Sequence, residues 1–365
     1  MRIAFIGIRG VPANYGGFET FVEQLGRRLV ERGHQVTVYG RSSSVPSGIA
    51  SYAGMRIVRL PAPRSKYLET VVHTMFCAFH LLIRRYDVVY VCNVANVPAV
   101  ILLWLGRKCV VLNVDGLEWE RTKWSRVGRA YYRACALLAA RLPVKLVTDA
   151  RVIQDYYERA YGRRTDYFPY GTDLELVDDD GTLGGLGLEA GRYVLYVSRL
   201  EPENNAQVVI DAFARVTTEL PLLIVGDAPY ASDYISKLRA TNDPRVRFLG
   251  GIYGEAYRIL GSHAAAYVQA TEVGGTHPAL VEAMGFGSAI VANDVPEHRE
   301  TLGDAGHYYR GPAELVTELQ RLLDDPEVAH LLGRRAHDRA TSVFGWDAIA
   351  DSYEAWLMGL VGQRR

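Results

Sequence analysis

Three stretches of this chain gather glycines, hydroxyls and charges just after apolar runs, where backbone and side chains can meet a phosphate. The first is Arg9-Gly10-Val11-Pro12-Ala13-Asn14-Tyr15-Gly16-Gly17-Phe18-Glu19, which follows the apolar run 3–7. Gly16 and Gly17 have no Cβ and open a helical pattern, so a diphosphate or sugar can approach their N–H groups closely. Their spacing is not that of the dinucleotide fingerprint G-x-G-x-x-G. A plain loop with a glycine cap is the competing reading. Arg9, Tyr15 and Glu19 are candidates to meet a second reactant beside this loop.

The second stretch is Tyr196-Val197-Ser198-Arg199-Leu200-Glu201-Pro202-Glu203-Asn204-Asn205. Arg199 stands where an apolar run ends, and a guanidinium fork binds diphosphate oxygens two at a time. Asn204 is a further candidate for that ligand, and Asn205 is expected to cap the next helix. The third stretch is Thr271-Glu272-Val273-Gly274-Gly275-Thr276-His277-Pro278, leading into Glu282. Pro278 suits the first position of a helix. Gly274, Gly275, Thr276 and His277 offer amides, a hydroxyl and an imidazole to phosphate. Glu282 lies one turn on, where a carboxylate can accept two ribose hydroxyls. Its neighbours Val281, Ala283 and Met284 predict a buried face, and a buried carboxylate needs partners.

Asp115 follows the run 108–114 and is either a catalytic carboxylate or an Asx-turn residue. Glu118, Glu120 and Asp149 are weaker carboxylates of the same kind. A basic, aromatic segment follows: Trp119, Arg121, Lys123, Trp124, Arg126, Arg129, Tyr131, Tyr132 and Arg133. It reads either as a membrane-facing surface or as a solvated basic face over core aromatics. No recognised nucleic-acid module accompanies it.

These residues must be positioned by elements, and the elements alternate. Apolar runs at 3–7, 35–39, 55–60, 87–92, 108–114 and 144–148 predict strands. Helical spacing appears at 17–31, 67–85, 125–141 and 150–161. The strand runs are continuous Val, Ile and Leu, the pattern of a parallel sheet covered on both faces. A polar, glycine-rich break at 178–191 is read as the interdomain region. A second series follows, with strands at 193–197, 222–225, 246–248, 265–268 and 289–292. The expectation is two doubly wound Rossmann-like domains, 1–180 and 190–345, with ligands between their switch-point crevices. A last helix at about 346–362 is expected to pack back on the first domain.

Composition agrees with an ordinary globular chain: 365 residues, 49 % hydrophobic and 22 % charged. Cys77, Cys92, Cys109 and Cys135 are singly placed in apolar runs and read as free thiols. The N-terminal apolar run is too short for a signal peptide, and no run is long enough to span a bilayer. A cytoplasmic location is therefore expected. Net charge is zero, yet residues 1–170 hold 25 Lys and Arg against 12 Asp and Glu, with the reverse excess beyond. A basic N-terminal half suits phosphates or an anionic membrane surface, and equally an attraction between two lobes.

Taken in order, residues 196–213 and 274–291, the Gly16-Gly17 loop and Asn113-Val114-Asp115-Gly116-Leu117-Glu118-Trp119 resemble the motifs of family-four glycosyltransferases with the GT-B fold. The resemblance covers nearly the whole chain. Residues 2–33 and 113–124 further resemble its rhamnosyltransferase-like branch, which acts on lipid-linked glycans and often uses dTDP-rhamnose. The resemblance implies a retaining hexosyltransferase working in polysaccharide or cell-envelope biosynthesis. A sugar would move from a nucleoside diphosphate to a lipid-linked or cell-surface glycan, with no metal and no cofactor. No Asp-x-Asp motif is present. The family's phosphate-binding arginine falls on Arg199, and its lysine partner falls on Asn204. Its two glutamates fall on Gly274 and Glu282, so the one near the donor sugar is missing. That loss suits a deoxysugar. Asp115 takes the position of a His or Asp near that sugar. Peripheral attachment at the inner face of the plasma membrane is implied for the basic helices. Rival readings are a UDP- or GDP-hexose donor, a GT-B-fold epimerase, a Rossmann oxidoreductase and a non-catalytic nucleotide-sugar-binding protein.

Overall fold

The computed structural model describes residues 1–13, 16–65, 68–228 and 231–363. The chain divides into two compact units, Met1–Tyr170 with Trp346–Arg365, and Gly171–Gly345.

The first unit is built on eight strands: β1 Arg2–Ile6, β2 Gln35–Arg41, β3 Ser51–Tyr52, β4 Met55–Leu60, β5 Val88–Cys92, β6 Val110–Asn113, β7 Lys145–Thr148 and β8 Asp166–Tyr167. Their order is β3-β4-β2-β1-β5-β6-β7-β8. All pairings are parallel except the short β3 against β4. The order reverses between β1 and β5, which makes that gap the switch point. Side chains explain the burial on both faces. Ala4 and Ile6 join one apolar cluster, while Ile3 and Phe5 join the other. Alternate residues of a strand point to opposite faces, so a β1 with no polar face requires helices on each side.

The helix Trp346–Gly362 belongs to this first unit and lies on the helix Gly17–Glu31. Tyr353 stacks on Phe168 at 4.2 Å between ring centres and meets Phe21 at 5.5 Å. Its hydroxyl lies 3.1 Å from that of Tyr90. Arg28 Nε donates to Asp347 Oδ1 at 2.7 Å, and Arg32 Nη2 to Asp351 Oδ1 at 2.6 Å.

The second unit has six strands, all parallel: β9 Val194–Val197, β10 Leu222–Val225, β11 Val246–Gly250, β12 Ala266–Gln269, β13 Ile290–Asn293 and β14 His307–Tyr309. Their order is β11-β10-β9-β12-β13-β14, with the switch point between β9 and β12. Again the central strand splits its side chains, Val194 and Tyr196 to one cluster, Leu195 and Val197 to the other.

Three details depart from the sequence reading. The glycine-rich segment 178–191 lies within the second unit, because Leu183 and Leu188 sink into its core and His263 ties the segment in. The carbonyl of Val177 lies 3.0 Å from His263 Nε2, and Gly191 N donates to the His263 carbonyl. Helix Val97–Leu105 and strands β3, β8 and β14 were not foreseen, since 2- and 3-residue strands carry no measurable period. The predicted helix 67–85 runs Glu69–Leu82, and position 67 lies outside the described residues.

Candidate functional site

In the second unit the loops after β9 and β12 flank the switch point, and these are the two loops that carry the second and third motifs. They are tied together. Asn205 Nδ2 donates to the Ala270 carbonyl at 2.9 Å, and Glu272 N to the Glu203 carbonyl at 3.1 Å. Asn205 sits at the N-cap position of helix Ala206–Phe213 with φ 58°, but its side chain makes no capping bond. The expected cap is thus replaced by a loop-to-loop tie, because the left-handed backbone turns the side chain away from the helix. Asn204 is buried. Its amide donates to the Arg199 carbonyl at 2.6 Å, and Tyr196 donates to its carbonyl at 2.6 Å. Asn204 therefore fixes the backbone that presents Arg199. The Arg199 guanidinium is half-buried, with Nη1 3.8 Å from Glu201 Oε2.

Gly226, just after β10, holds this loop from the other side. Its φ is +142°, and a Cβ built there would stand 1.8 Å from the Ser198 carbonyl. Only glycine allows that approach.

Gly274, Gly275 and Thr276 are buried in the loop before the helix Pro278–Gly285, whose N-cap is His277. Gly274 packs against His277: a Cβ there would meet Nε2 at 2.5 Å. Behind it, His277 Nδ1 lies 3.0 Å from Nε2 of the fully buried His298. Glu282 lies partly buried on the same helix, and Tyr257 donates to its Oε2 at 2.7 Å. Burial lifts the Glu282 carboxyl to about 7, the Tyr257 hydrogen bond pulls it down, and the negative charge of Asp173 adds to the rise. Tyr257, Gln269 and His298 were not singled out from sequence. They lie on neighbouring elements with no spacing signal to link them.

In the first unit the loop after β1 is organised by Glu19. Its Oε1 accepts from Arg9 N at 2.8 Å, and burial raises its pKa against the pull of that bond and of its own amide. The carboxyl lies against the helix start, 3.5 Å from where a Gly16 Cβ would be. The amide end expected to receive a diphosphate at Gly16 and Gly17 thus carries the chain's own carboxyl, which disfavours a second anion there. Tyr15 lies outside the described residues. Arg9 Nη2 is 3.9 Å from Glu69 Oε2, which also takes Arg41 Nη1 at 3.0 Å.

Asp115, after β6, has φ 63°, and Asn93, after β5, has φ 72°. Asn93 Nδ2 donates to Asp115 Oδ2 at 3.2 Å, and Asp115 N donates to Asn113 Oδ1 at 3.0 Å. The Asx turn foreseen for Asp115 is therefore made by Asn113. Two non-glycine residues in left-handed backbone on neighbouring strand ends are the kind of strain found at working sites. Glu118 is committed elsewhere: Oε1 pairs with Arg121 Nε, and Oε2 accepts from Trp124 Nε1 at 3.2 Å. It holds the loop before the helix Arg126–Arg141.

The basic, aromatic segment splits in two. Trp119 and Tyr132 are core, with Trp119 against Tyr156 and Tyr132 against Trp124. Val127, Tyr131, Leu137 and Leu138 are exposed, as are Leu68, Phe76, Phe79, Ile83, Trp104 and Leu105 on the helices beside it. Among the described residues no group of three or more His, Cys, Asp or Glu is arranged to hold a metal ion, and Cys77, Cys92, Cys109 and Cys135 are free thiols.

Residues 15–176 match the family described as Glycosyltransferase Family 4, and residues 191–325 match Glycosyl transferases group 1. The phosphatidyl-myo-inositol mannosyltransferase of Mycobacterium tuberculosis is 26 % identical over 316 residues, 80 % of this chain and 78 % of that one. Among solved structures, sucrose-phosphate synthase from Thermosynechococcus elongatus superposes with a TM-score of 0.82 at 21 % identity, over 99 % of each chain. Anabaena Alr3699/HepE, solved with UDP-glucose, gives 0.79 at 20 % identity, over 98 % of this chain and 100 % of that one. The fold is that of these GT-B structures, two parallel-sheet α/β domains.

Proposed function

We propose, for a chain that carries a family-four and a group 1 glycosyltransferase domain and is a glycosyltransferase enzyme, that the second unit binds a nucleoside-diphosphate sugar at its β9/β12 switch point. The observation that carries this reading is the junction itself. The loops that carry Arg199 and residues 274–277 flank the switch point and are tied by the Asn205–Ala270 and Glu272–Glu203 bonds, and Glu282 lies on the helix that follows the second loop. Alr3699/HepE is named in complex with UDP-glucose, which supports a nucleotide sugar for this chain too.

In this reading Arg199 and the amide end of helix Pro278–Gly285 take the diphosphate, and Glu282 takes the ribose hydroxyls. The bond from the anomeric carbon to the β-phosphate oxygen breaks, and a bond to the acceptor oxygen forms on the same face. The acceptor's proton passes to the departing phosphate oxygen. Negative charge grows on the leaving group, so fixed positive charge there lowers the barrier. In the first unit this reading takes Asp115, bonded to Asn93, as the catalytic carboxylate and Arg9, Glu19 and Tyr15 as acceptor residues.

The donor we favour is dTDP-rhamnose. Gly274 brings no carboxylate to the sugar, as suits a ring with one hydroxyl fewer. The acceptor is a lipid-linked glycan of the cell envelope, reached from an anionic membrane face. Leu68, Phe76, Phe79 and Ile83 project from one exposed stripe, spread over roughly 80° at 100° per residue. Arg84, Arg85 and Arg107 are exposed beside it. No helix among the described residues is long and apolar enough to cross a membrane.

Thermal-shift and turnover assays with dTDP-rhamnose, GDP-mannose and UDP-glucose test the donor. Stabilisation by the rhamnose donor above the others supports the reading, and preference for a hexose donor corrects the sugar. Arg199→Ala is expected to lower turnover about 100-fold or more with the fold intact; unchanged kinetics would remove Arg199 from the diphosphate.

A further inference from the structure

Glu282 meets a second helix through matching pairs of positions. Tyr257 and Gly261 lie one turn apart on helix Gly254–Ser262, and Glu282 and its C-cap neighbour Phe286 lie one turn apart on helix Pro278–Gly285. Residues four apart share a helix face. The Phe286 ring meets the Tyr257 ring edge-on, 6.1 Å between centres at 75°. A Cβ on Gly261 would stand 2.3 Å from the same Phe286 ring, so the glycine is what lets the two faces close. With its ring held there, Tyr257 donates to Glu282 Oε2 at 2.7 Å.

That hydroxyl keeps its hydrogen. Burial, and then the Glu282 charge beside it, push the Tyr257 pKa well above the ordinary tyrosine range. A hydrogen bond donated to a carboxylate favours the ionised form. It fills one of about four acceptor positions on the carboxylate, so others remain for ligand hydroxyls. It also anchors a flexible side chain, which then need not be ordered when a ligand arrives.

The other titratable groups around Glu282 do not share this work. Asp173, whose segment packs on Gly285, adds negative charge and opposes ionisation. Tyr267 of β12 is buried and neutral, and its hydroxyl turns to Gln269 at 3.0 Å. Arg258, beside Tyr257 in sequence, reaches the Glu175 carbonyl at 3.5 Å. His337 from helix Pro326–Val343 faces the Gly285 carbonyl at 2.7 Å. The neutral His298 from helix Pro296–Leu302 faces His277. Resting on the donor site proposed above, we infer that Tyr257 is a positioning residue for donor binding: its hydroxyl anchors Glu282 by Oε2 and so presents the carboxylate, ionised, to the ribose hydroxyls.

The test uses Tyr257→Phe in the full chain, which removes one oxygen and keeps the ring that packs on Phe286. Carbon-13 NMR of the unliganded protein follows the Glu282 carboxyl, identified by its loss in Glu282→Gln. Its titration midpoint is expected to lie higher in Tyr257→Phe than in the wild type, and equal midpoints would overturn the anchor. Isothermal titration with UDP, GDP and dTDP then reads binding from pH 6 to pH 9. At pH 7 Tyr257→Phe is expected to bind the nucleotide preferred by the wild type about 5-fold more weakly. The gap is expected to narrow toward pH 9, where both carboxyls are ionised, and a gap constant with pH would refute action through Glu282. In a double-mutant cycle Tyr257→Phe is expected to cost nothing further in Glu282→Gln, and a full second loss would also refute it. The two claims fail separately. If no nucleotide binds the wild type, or Glu282→Gln binds as the wild type does, the donor reading falls and this role with it. If Glu282→Gln weakens binding and Tyr257→Phe does not, this inference alone falls.

Discussion

Glu282 is the residue whose chemistry is most sharply set by its surroundings. Burial favours the neutral form and pushes its carboxyl up to about 7. Ribose hydroxyls donate, so they bind the carboxylate and not the acid. Donor affinity is therefore expected to fall about tenfold between pH 8 and pH 6. In Glu282→Gln the affinity is expected to be weaker and flat over that window, as isothermal titration will show. Equal pH dependence in both proteins would remove Glu282 from the ribose. The same group leaves a mark on stability. Between its ordinary 4.5 and about 7 the folded chain binds the extra proton, so this contribution weakens as pH rises. His73 and His298 act the other way. Burial lowers both to about 4, so the stability they supply is lost as pH falls from 6.5 toward 4. At this scale the sequence was informative about types and less so about partners. The places of Arg199, Gly274, His277 and Glu282 after strand ends and at a helix start were legible from spacing. Tyr257 and His298 were not, because only the packing of separate helices brings them to Glu282 and His277.

At the scale of elements, two loops at one switch point do the positioning, and both depend on backbone that few residues allow. Gly226→Ala would put a methyl 1.8 Å from the Ser198 carbonyl at a φ of +142°. A loss of stability of about 1–3 kcal/mol and of donor affinity is expected by denaturant melt and titration. A wild-type melt would mean that β10 leaves room the loop does not need. The strand-and-helix alternation was legible because buried parallel strands read as unbroken apolar runs. The glycine-rich break was misplaced as a boundary for a physical reason: glycine marks turns, but Leu183 and Leu188 decide which core the segment joins. Of the two readings of the basic segment, Trp119 and Tyr132 agree with the one that set a basic face over core aromatics, and the exposed apolar stripe lies mainly on the helix Glu69–Leu82.

Across the whole molecule, charge and apolar exposure gather in the N-terminal half. Residues 1–170 carry the basic excess, and Phe76, Phe79 and Ile83 stand on their surface. Cosedimentation with vesicles containing anionic lipid is expected and should weaken with salt. Phe79→Asp with Ile83→Asp should abolish it while leaving turnover on a soluble acceptor unchanged. Equal binding by that variant would assign the stripe another role.

The central claim is that the β9/β12 crevice of the second unit seats the sugar nucleotide. A crystal structure of the protein soaked with a nucleoside diphosphate tests it most directly. The account predicts diphosphate against Arg199 and the start of helix Pro278–Gly285, with the ribose on Glu282. A nucleotide seated anywhere else, with that crevice occupied only by solvent, would contradict it.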